Sequence, residues 1–238
     1  MREGAQPRRA GHPARVVGVD AWAGGWVAVA LTAGLVGRVW SGASLPEVLA
    51  DEPPTTVVGV DLPLGGVSDG WRTADREAKR LLGAQHAKVF AVPPRPIWDE
   101  PTYAAANARC RAMTGAGLSV QAYRLVPKML EAERYRDAGP HALYEIHPEL
   151  VFASLAGRLL AYGKKTWNGQ AARRSLLAGI GVVLDDDLTE AGTVPANDVL
   201  DAAAVALGAH RITLSDSRSV PDPPDQHDHQ GRPIVIWY

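Results

Sequence analysis

The chain has 238 residues, of which 46% are hydrophobic and 21% are charged. A chain of this length buries roughly 70–75% of the surface that it exposes when unfolded, so it needs no disulfide or structural metal to fold. Its composition excludes wholesale disorder and a fibrous chain. The 25 Lys and Arg residues against 26 Asp and Glu residues give a formal net charge of −1. This balance argues against a protein that coats nucleic acid through bulk positive charge, but it leaves a local basic groove open.

The cysteine count and the apolar runs indicate the compartment. Cys110 is the only cysteine, so no internal disulfide can form, which favours the reducing cytoplasm. The longest apolar runs are far shorter than the roughly 20 residues of a membrane-spanning helix. The polar, Arg-rich N-terminus also lacks the apolar segment of a signal peptide. We therefore expect a cytoplasmic protein without a membrane span.

The first 50 residues predict an arm, a three-stranded meander and a short helix. Residues 1–14 combine Gly, Pro and charged residues without a periodic apolar pattern, which is typical of a disordered arm. Three β-type runs follow, from Arg15, over 26–30 and over 35–40, and the Gly-containing turns between them predict antiparallel pairing. The sequence Ser-Leu-Pro-Glu at 44–47 matches a capping box that opens a short helix.

A fourth predicted strand repeats the first. Residues 57–61 read Val-Val-Gly-Val-Asp, and residues 16–20 read the same five letters. Both runs end at an aspartate and both are followed by a glycine-rich loop. This repeat is the strongest internal signal in the sequence.

The rest of the domain is predicted to be mainly helical. Residues 71–136 carry helical periodicity and form an insertion after the fourth strand. A fifth strand is expected over 143–147, followed by helices over 169–178 and from about 195 to 211. The resulting order predicts an α/β fold, a ribonuclease H-like mixed five-stranded sheet flanked by helices, within a domain spanning 15–214.

Two further segments follow this domain. Residues 215–232 are rich in Asp, Pro and His and are expected to form a flexible linker. Residues 233–238 form an apolar β-type run that we expect to pack on the domain at a sheet edge.

The two repeated aspartates are the first candidate site residues. In a sheet of this kind the first and fourth strands are neighbours, so Asp20 and Asp61 would lie side by side. Two adjacent carboxylates repel each other unless a cation bridges them. A pair of divalent ions would relieve the repulsion and could also drive an in-line phosphodiester displacement. Hard oxygen ligands favour Mg²⁺ or Mn²⁺.

Other acidic residues are placed to join them. Asp198 and Asp201 share one face near the start of the last helix, and the small residues 202–206 would let that helix lie close to the sheet. Glu145 lies on the fifth strand and is a candidate outer ligand, while His147 on the same face could be a ligand or handle protons. Each residue also has a structural interpretation, because aspartates often form turns or cap helices and a histidine before proline is often structural.

Several motifs together resemble domain-of-unknown-function family 429, a family of predicted ribonuclease H-like nucleases. The resemblance covers roughly residues 16–212 and the final strand. Its motifs are Gly18-Val19-Asp20 with Gly24-Gly25-Trp26, Asp61-Leu62-Pro63-Leu64-Gly65, Arg72 with Asp75-Arg76-Glu77-Ala78, Val89-Phe90 with Pro93, Gly117-Leu118-Ser119-Val120-Gln121, Glu145-Ile146-His147-Pro148-Glu149, Lys164-Lys165-Thr166 and Asn197-Asp198-Val199-Leu200-Asp201-Ala202.

The resemblance implies a ribonuclease H-like fold and, by analogy with resolvase-type members of that superfamily, metal-dependent phosphodiester cleavage. In that scheme one acid ends the first strand, another ends the fourth, and two lie on the C-terminal helix. These positions correspond to Asp20, Asp61, Asp198 and Asp201. The resemblance also leaves open whether the protein forms a homodimer.

Basic residues supply candidate phosphate contacts. Arg72 and Arg76 fall within one predicted helix, and Lys164 and Lys165 precede another, where free backbone N–H groups could also hold phosphate. The alternative for the arginines is an ordinary solvated helix face. Trp22, Trp71 and Trp98 could stack on a base or simply anchor loops, and the tract His227-Asp228-His229 resembles an adventitious metal site.

The sequence therefore predicts a divalent-metal-dependent nuclease that acts on DNA or RNA. In this hypothesis Asp20, Asp61, Asp198 and Asp201 hold Mg²⁺ or Mn²⁺. Two alternatives remain open, namely an actin-like nucleotide-binding protein, for which the chain is short, and a non-catalytic ribonuclease H-like binding module.

Overall fold

The computed structural model describes residues 15–238, so the arm predicted for residues 1–14 lies outside the described residues. The strands are β1 (Arg15–Trp22), β2 (Gly25–Thr32), β3 (Leu35–Gly42), β4 (Val57–Asp61), β5 (Ala142–Glu145), β6 (Ser219–Val220) and β7 (Ile236–Trp237). The helices are α1 (Leu45–Val48), α2 (Thr73–Leu82), α3 (Tyr103–Thr114), α4 (Val120–Ala138), α5 (Pro148–Ala156), α6 (Trp167–Ala178) and α7 (Ala196–Thr213).

Five strands form one mixed sheet in the order β3-β2-β1-β4-β5. The first three pair antiparallel, as the glycine-containing turns predict. Strand β4 runs parallel to β1 and β5 runs parallel to β4, because helical connections return the chain in the same direction. The expected α/β fold with a mixed five-stranded sheet flanked by helices is confirmed.

Both faces of the sheet are covered, which explains why its central strands are apolar throughout. On one face, Val16 of β1 packs in a cluster with residues of α5, α6 and α7. On the other face, Val17 and Val19 pack with residues of α1 and α4. The central strand β1 is therefore held in a fixed position between two cores.

Helix α7 lies directly on β1. A Cβ atom added to Gly18 would be 2.1 Å from the backbone nitrogen of Ala206 and 2.3 Å from the carbonyl oxygen of Ala202. Only glycine fits at such a close approach of helix and strand. The small residues of α7 match the expectation drawn from the sequence, and this contact carries the first two turns of α7 toward the aspartate at the end of β1.

The segment between β4 and β5 contains α2, α3 and α4, where the sequence predicts a helical insertion. Helix α6 begins at Trp167, two residues before the predicted start at 169, because the hydroxyl of Thr166 accepts a hydrogen bond from the backbone N–H of Gly169. Cys110 is buried in α3.

The segment 215–232, expected to be a flexible linker, is tied to the domain. Gln226 accepts a hydrogen bond from the backbone N–H of Thr73 at 2.6 Å. The carboxylate of Asp228 is buried and pairs with Arg136 and Arg232. These long-range partners make it a packed segment, which its composition did not indicate.

The C-terminal run packs on the domain at the β5 edge. Strand β7 pairs with β6, and Trp237 forms a bridge with Ile146 immediately after β5. Within residues 15–238, no helix has both the length and the apolar character that crossing a membrane requires.

Candidate metal centre

Two aspartates meet near the carboxyl ends of neighbouring parallel strands, Asp61 as the last residue of β4 and Asp20 two residues before the end of β1. The repeated pentapeptides of β1 and β4 pair in register, from Val16 opposite Val57 to Asp20 opposite Asp61. Parallel strands present their carboxyl ends at one edge of the sheet, so the two side chains emerge next to each other.

Helix α7 adds a third carboxylate. One carboxylate oxygen from each of Asp20, Asp61 and Asp201 lies within 4.8 Å of the others. Asp201 is fully buried and Asp20 is 5% exposed. We call these three residues the acid cluster. The three aspartates lie on three different elements and are at least 40 residues apart in sequence. The sheet pairing together with the α7–β1 contact brings them to one point.

Burial and mutual repulsion disfavour the charged forms of the cluster. Burial raises the pKa of Asp61 to about 6 and that of Asp201 to about 7, with the charge of Lys164 opposing both shifts. The pKa of Asp20 is raised well above its ordinary value by burial and by the charges of Asp61 and Asp201. Three close carboxylates with raised pKa values are a favourable site for a divalent cation.

Lys164 supplies a positive charge inside the cluster. It lies in the loop between α5 and α6, and its ammonium group donates a hydrogen bond to Oδ2 of Asp201. Burial lowers the pKa of Lys164, but the neighbouring carboxylates of Asp201 and Asp61 outweigh that effect and raise it overall. Lys164 therefore remains protonated and neutralises part of the cluster.

The other oxygen of Asp201 has no such partner. Its Oδ1 is buried, and no described residue donates a hydrogen bond to it. A buried carboxylate oxygen without a donor is costly unless a cation or an ordered water satisfies it. The donor set of the acid cluster consists of carboxylate oxygens alone, which suits Mg²⁺ or Mn²⁺ better than a soft metal.

Asp198 stands one turn before Asp201 and lies at the edge of the cluster. It is partly exposed and accepts a hydrogen bond from the side-chain amide of Asn197. Its charge contributes to raising the pKa of both Asp20 and Asp61. Asp198 is thus close enough to act on the cluster electrostatically, although it is outside the group of three close oxygens.

A cavity of about 340 Å³ opens over the acid cluster. Its lining includes Asp20, Asp61, Asp198 and Lys164 on one side and Phe90 and Leu125 on the other. His147 also lines the cavity, and burial lowers its pKa, so its imidazole is neutral at pH 7. The cavity offers a small or extended polar ligand access to the carboxylates.

A family model described as "Protein of unknown function (DUF429)" matches residues 18–226. The chain belongs to the DUF429 family. No curated protein and no solved structure shows significant similarity to it. The match contains every residue of the acid cluster together with Asp198 and Lys164, so the candidate site lies within the DUF429 domain.

Two predicted site residues of the DUF429 domain have other partners. Glu145 is buried, accepts a hydrogen bond from the backbone N–H of Leu64 at 2.7 Å and pairs with Arg72 at 2.6 Å. Glu145 is therefore held by structural partners, and burial raises its pKa to about 7 although Arg72 opposes that shift, while one side of Glu145 borders the cavity. Arg72, which the sequence predicts to contact substrate phosphate, has a fully buried guanidinium that pairs with Glu145 and Asp75, so it is not exposed to a phosphate in this structure.

Lys164 is likewise engaged with Asp201 and is not a free phosphate contact in this structure. Arg76 and Lys165 are exposed, so each is accessible to a phosphate, and their role remains a prediction. Trp98 is buried, and its indole N–H donates to the carbonyl of Pro93, which makes it a loop anchor. Within residues 15–238, the acid cluster is the one group of three or more close metal-type ligands, and the 227–229 tract is not part of it.

Sequence reasoning missed a second buried charge network beside the cavity. Glu149 in the first turn of α5 accepts hydrogen bonds from Arg173 at 2.6 and 2.8 Å and from Lys88 at 2.9 Å. Burial alone would raise the pKa of Glu149, but these cations lower it. The network fixes α5 against α6 and so supports the loop that carries Lys164. The sequence does carry a signal for this network, because Arg173 lies on an otherwise apolar face of α6.

Proposed function

We propose that this chain is a divalent-metal-dependent nuclease that hydrolyses phosphodiester bonds of nucleic acid. The observation that carries the proposal is the acid cluster, in which Asp20, Asp61 and Asp201 bring one carboxylate oxygen each within 4.8 Å of the others. Asp20 and Asp61 line the open cavity, and Asp201 is fully buried beside them. Such a site attracts divalent cations, and divalent cations are the usual agents of phosphodiester hydrolysis.

The sheet order supports a ribonuclease H-like fold. Three antiparallel strands followed by two strands parallel to the first, in the order β3-β2-β1-β4-β5, are the topology that the sequence resemblance implies. The acids also lie close to where that scheme has them, two residues before the end of β1, at the end of β4 and on the last long helix. Analogy of fold supports the reaction class less strongly than the chemistry of the site does.

Mg²⁺ or Mn²⁺ would be held by Asp20, Asp61 and Asp201, with Asp198 at the edge of the site. A bound divalent ion would supply Lewis acidity toward a phosphoryl oxygen and compensate negative charge that develops in the transition state. The buried Oδ1 of Asp201, which no described residue satisfies, fits this ligand role.

The protein residues around the cluster orient these ligands. Lys164 holds Oδ2 of Asp201 and so fixes the carboxylate with Oδ1 free to coordinate. His147 lines the cavity as a neutral imidazole, which can accept a proton. Arg76 and Lys165 are exposed cations that would contact the phosphate backbone of a bound strand.

The test is divalent-dependent cleavage by the wild type and by Asp61→Asn. We expect wild type with Mn²⁺ to cleave at least one of single-stranded, double-stranded or branched DNA and RNA, and Asp61→Asn to be inactive. Asp51→Asn is a matched control, because Asp51 is exposed and lies outside the cavity lining. An inactive wild type across all these substrates would contradict the proposal.

A non-catalytic binding module is the second candidate, and the position of Lys164 favours it. An ammonium group already bound to Asp201 can serve as the counterion of the cluster and make a metal ion unnecessary. Calorimetry distinguishes the two candidate functions. If the protein is a non-catalytic binding module, wild type should not bind Mn²⁺; if it is a nuclease, wild type should bind Mn²⁺ and Asp61→Asn should not.

A further inference from the structure

A second cavity is lined by residues that are close in sequence to residues lining the cavity over the acid cluster. It has a volume of about 400 Å³ and lies between the start of α6 and the start of α7. Lys164 lines the first cavity and Trp167, three residues later, lines the second. Asp198 lines the first cavity, while its neighbour Val199 lines the second. The two cavities are therefore adjacent, separated by the 164–167 turn and the first turn of α7.

The second cavity is apolar inside and carries an exposed aromatic ring at its opening. Trp167 is 84% exposed, the most exposed of the large hydrophobic residues described. The apolar lining consists of Leu184, Leu188, Val194, Ala196, Val199 and Leu200. An indole left in water beside an apolar cavity is typical of a surface that stacks on a flat ligand. We call this cavity the Trp167 pocket.

The polar groups of the pocket suit a nucleobase better than a phosphate. Asp185 and Asp186 line it and are exposed, and Arg174, which also lines it, pairs with Asp186. The carboxylate of Asp185 would repel a phosphate but can accept hydrogen bonds from the amino groups of a base. Gln170 adds an amide that can both donate and accept. Lys165 is exposed and stands in the sequence between Lys164, which lines the first cavity, and Trp167, which lines the second. Its positive charge suits a phosphate that joins a group in one cavity to a group in the other.

We propose that the Trp167 pocket binds an unstacked base of a single-stranded segment of nucleic acid while the adjoining phosphate lies over the acid cluster. This inference rests on the proposed function and specifies its substrate class, because only a base that is not paired in a duplex can enter the pocket. The ring of Trp167 stacks on the base, and Lys165 contacts the backbone.

The test measures binding of two strands that carry the same charge. One is a single-stranded oligodeoxynucleotide of about 10 nucleotides, and the other is an abasic strand of the same length. Ca²⁺ replaces Mn²⁺ so that binding is measured apart from cleavage. Stacking of a base on an aromatic side chain predicts that wild type binds the base-bearing strand about tenfold more tightly than the abasic one.

Variants assign that difference to Trp167. Trp167→Ala should abolish the preference for the base-bearing strand, and Trp167→Phe should keep most of it. Tyr162→Ala is the matched control, because Tyr162 is an exposed aromatic in the loop that precedes α6 and lines neither cavity. Since Trp167 is a surface residue, its replacement should leave the melting temperature nearly unchanged.

Three results would overturn the proposal. Wild type could bind both strands equally, Trp167→Ala could retain the full preference, or Trp167→Ala could convert a dimer into a monomer, which would make the pocket a subunit interface. Cleavage with Mn²⁺ is scored separately. Cleavage without a base preference removes the pocket proposal and leaves the nuclease, whereas a Trp167-dependent preference without cleavage supports the pocket and removes the nuclease.

Discussion

Lys164 donates its hydrogen bond to Asp201 inside the acid cluster, so the centre contains a cation supplied by the chain itself. Three buried carboxylates and one ammonium leave an excess of negative charge when all four groups are ionised. The pKa shifts reflect that excess, because burial still raises the pKa of Asp61 and Asp201 despite the nearby lysine. A divalent ion would balance the charge that Lys164 leaves uncompensated.

Removing the lysine charge should strengthen metal binding. Replacing Lys164 by Met deletes a positive charge next to Asp201, and we expect the Kd for Mn²⁺ to fall at least about tenfold, because two unit charges about 4 Å apart already repel by about 4 kcal/mol at an effective dielectric constant near 20. In EDTA the same variant should have a lower melting temperature than wild type, because the carboxylates lose their counterion. Calorimetry and thermal melts check both, with Lys165→Met as the exposed neighbouring control. Unchanged or weaker Mn²⁺ binding by Lys164→Met would show that Lys164 does not compete with the metal.

Stability without metal should fall as pH rises. Asp61 and Asp201 have pKa values of about 6 and about 7 in the folded protein, against an ordinary value of 3.8. A raised pKa in the folded state means that their contribution to stability is complete below about pH 4 and is lost as pH rises through 6 and 7. We expect the urea midpoint in EDTA to decrease between pH 5 and pH 7.5. The decrease should be smaller in Asp61→Asn and smaller in wild type saturated with Mn²⁺; an equal decrease in all three would refute the assignment.

The contact of α7 with β1 should be needed for the site as well as for the fold. Gly18→Ala places a methyl group against the backbone of Ala202 and Ala206, which must push the helix away. Overpacking of this kind costs about 1–3 kcal/mol or more of the free energy of unfolding. Because α7 carries Asp201, Mn²⁺ affinity should fall together with stability. Gly37→Ala is the control, since its nearest neighbour would be 3.9 Å away, and it should retain both properties.

The buried Arg72 should be structural. Arg72→Met leaves Glu145 and Asp75 buried without their cation, and removing one partner of a buried pair costs about 3–5 kcal/mol. Denaturant unfolding should detect this loss, and the double variant Arg72→Met/Glu145→Gln should recover part of it. Arg76→Met changes an exposed residue of α2, four residues after Arg72, and its free energy of unfolding should stay within about 0.5 kcal/mol of wild type. A stable Arg72→Met variant with weakened phosphate binding would instead support the prediction from the sequence that Arg72 contacts substrate phosphate.

The sequence predicts the pairing of Asp20 with Asp61 because the same pentapeptide occurs twice and parallel strands with buried faces pair in register. It also predicts that the last helix brings acids to that edge, since residues 202–206 are small enough for close packing. The position of Lys164 could not be predicted, because it depends on a loop with no periodic pattern. The same limit applies to Arg72. On sequence periodicity it is indistinguishable from the exposed Arg76, but it immediately precedes α2 and is buried, whereas Arg76 lies on the helix.

Glu145 shows a related difficulty. Its place on β5 predicts an acid near the sheet edge, and the structure confirms that place. Whether such an acid faces a ligand or a buried arginine depends on a partner 73 residues away. Trp167 was not singled out for the same reason, because its exposure and the cavity beside it arise only when α6 and α7 pack together.

The most direct test of the central claim is the anomalous scattering of a crystal soaked in Mn²⁺. We predict a peak within about 2.0–2.5 Å of carboxylate oxygens from Asp20, Asp61 and Asp201, with the Oδ1 of Asp201 among the ligands. A fully soaked crystal with no peak at these three residues, and with the ammonium of Lys164 still bound to Asp201, would contradict a metal centre at this site.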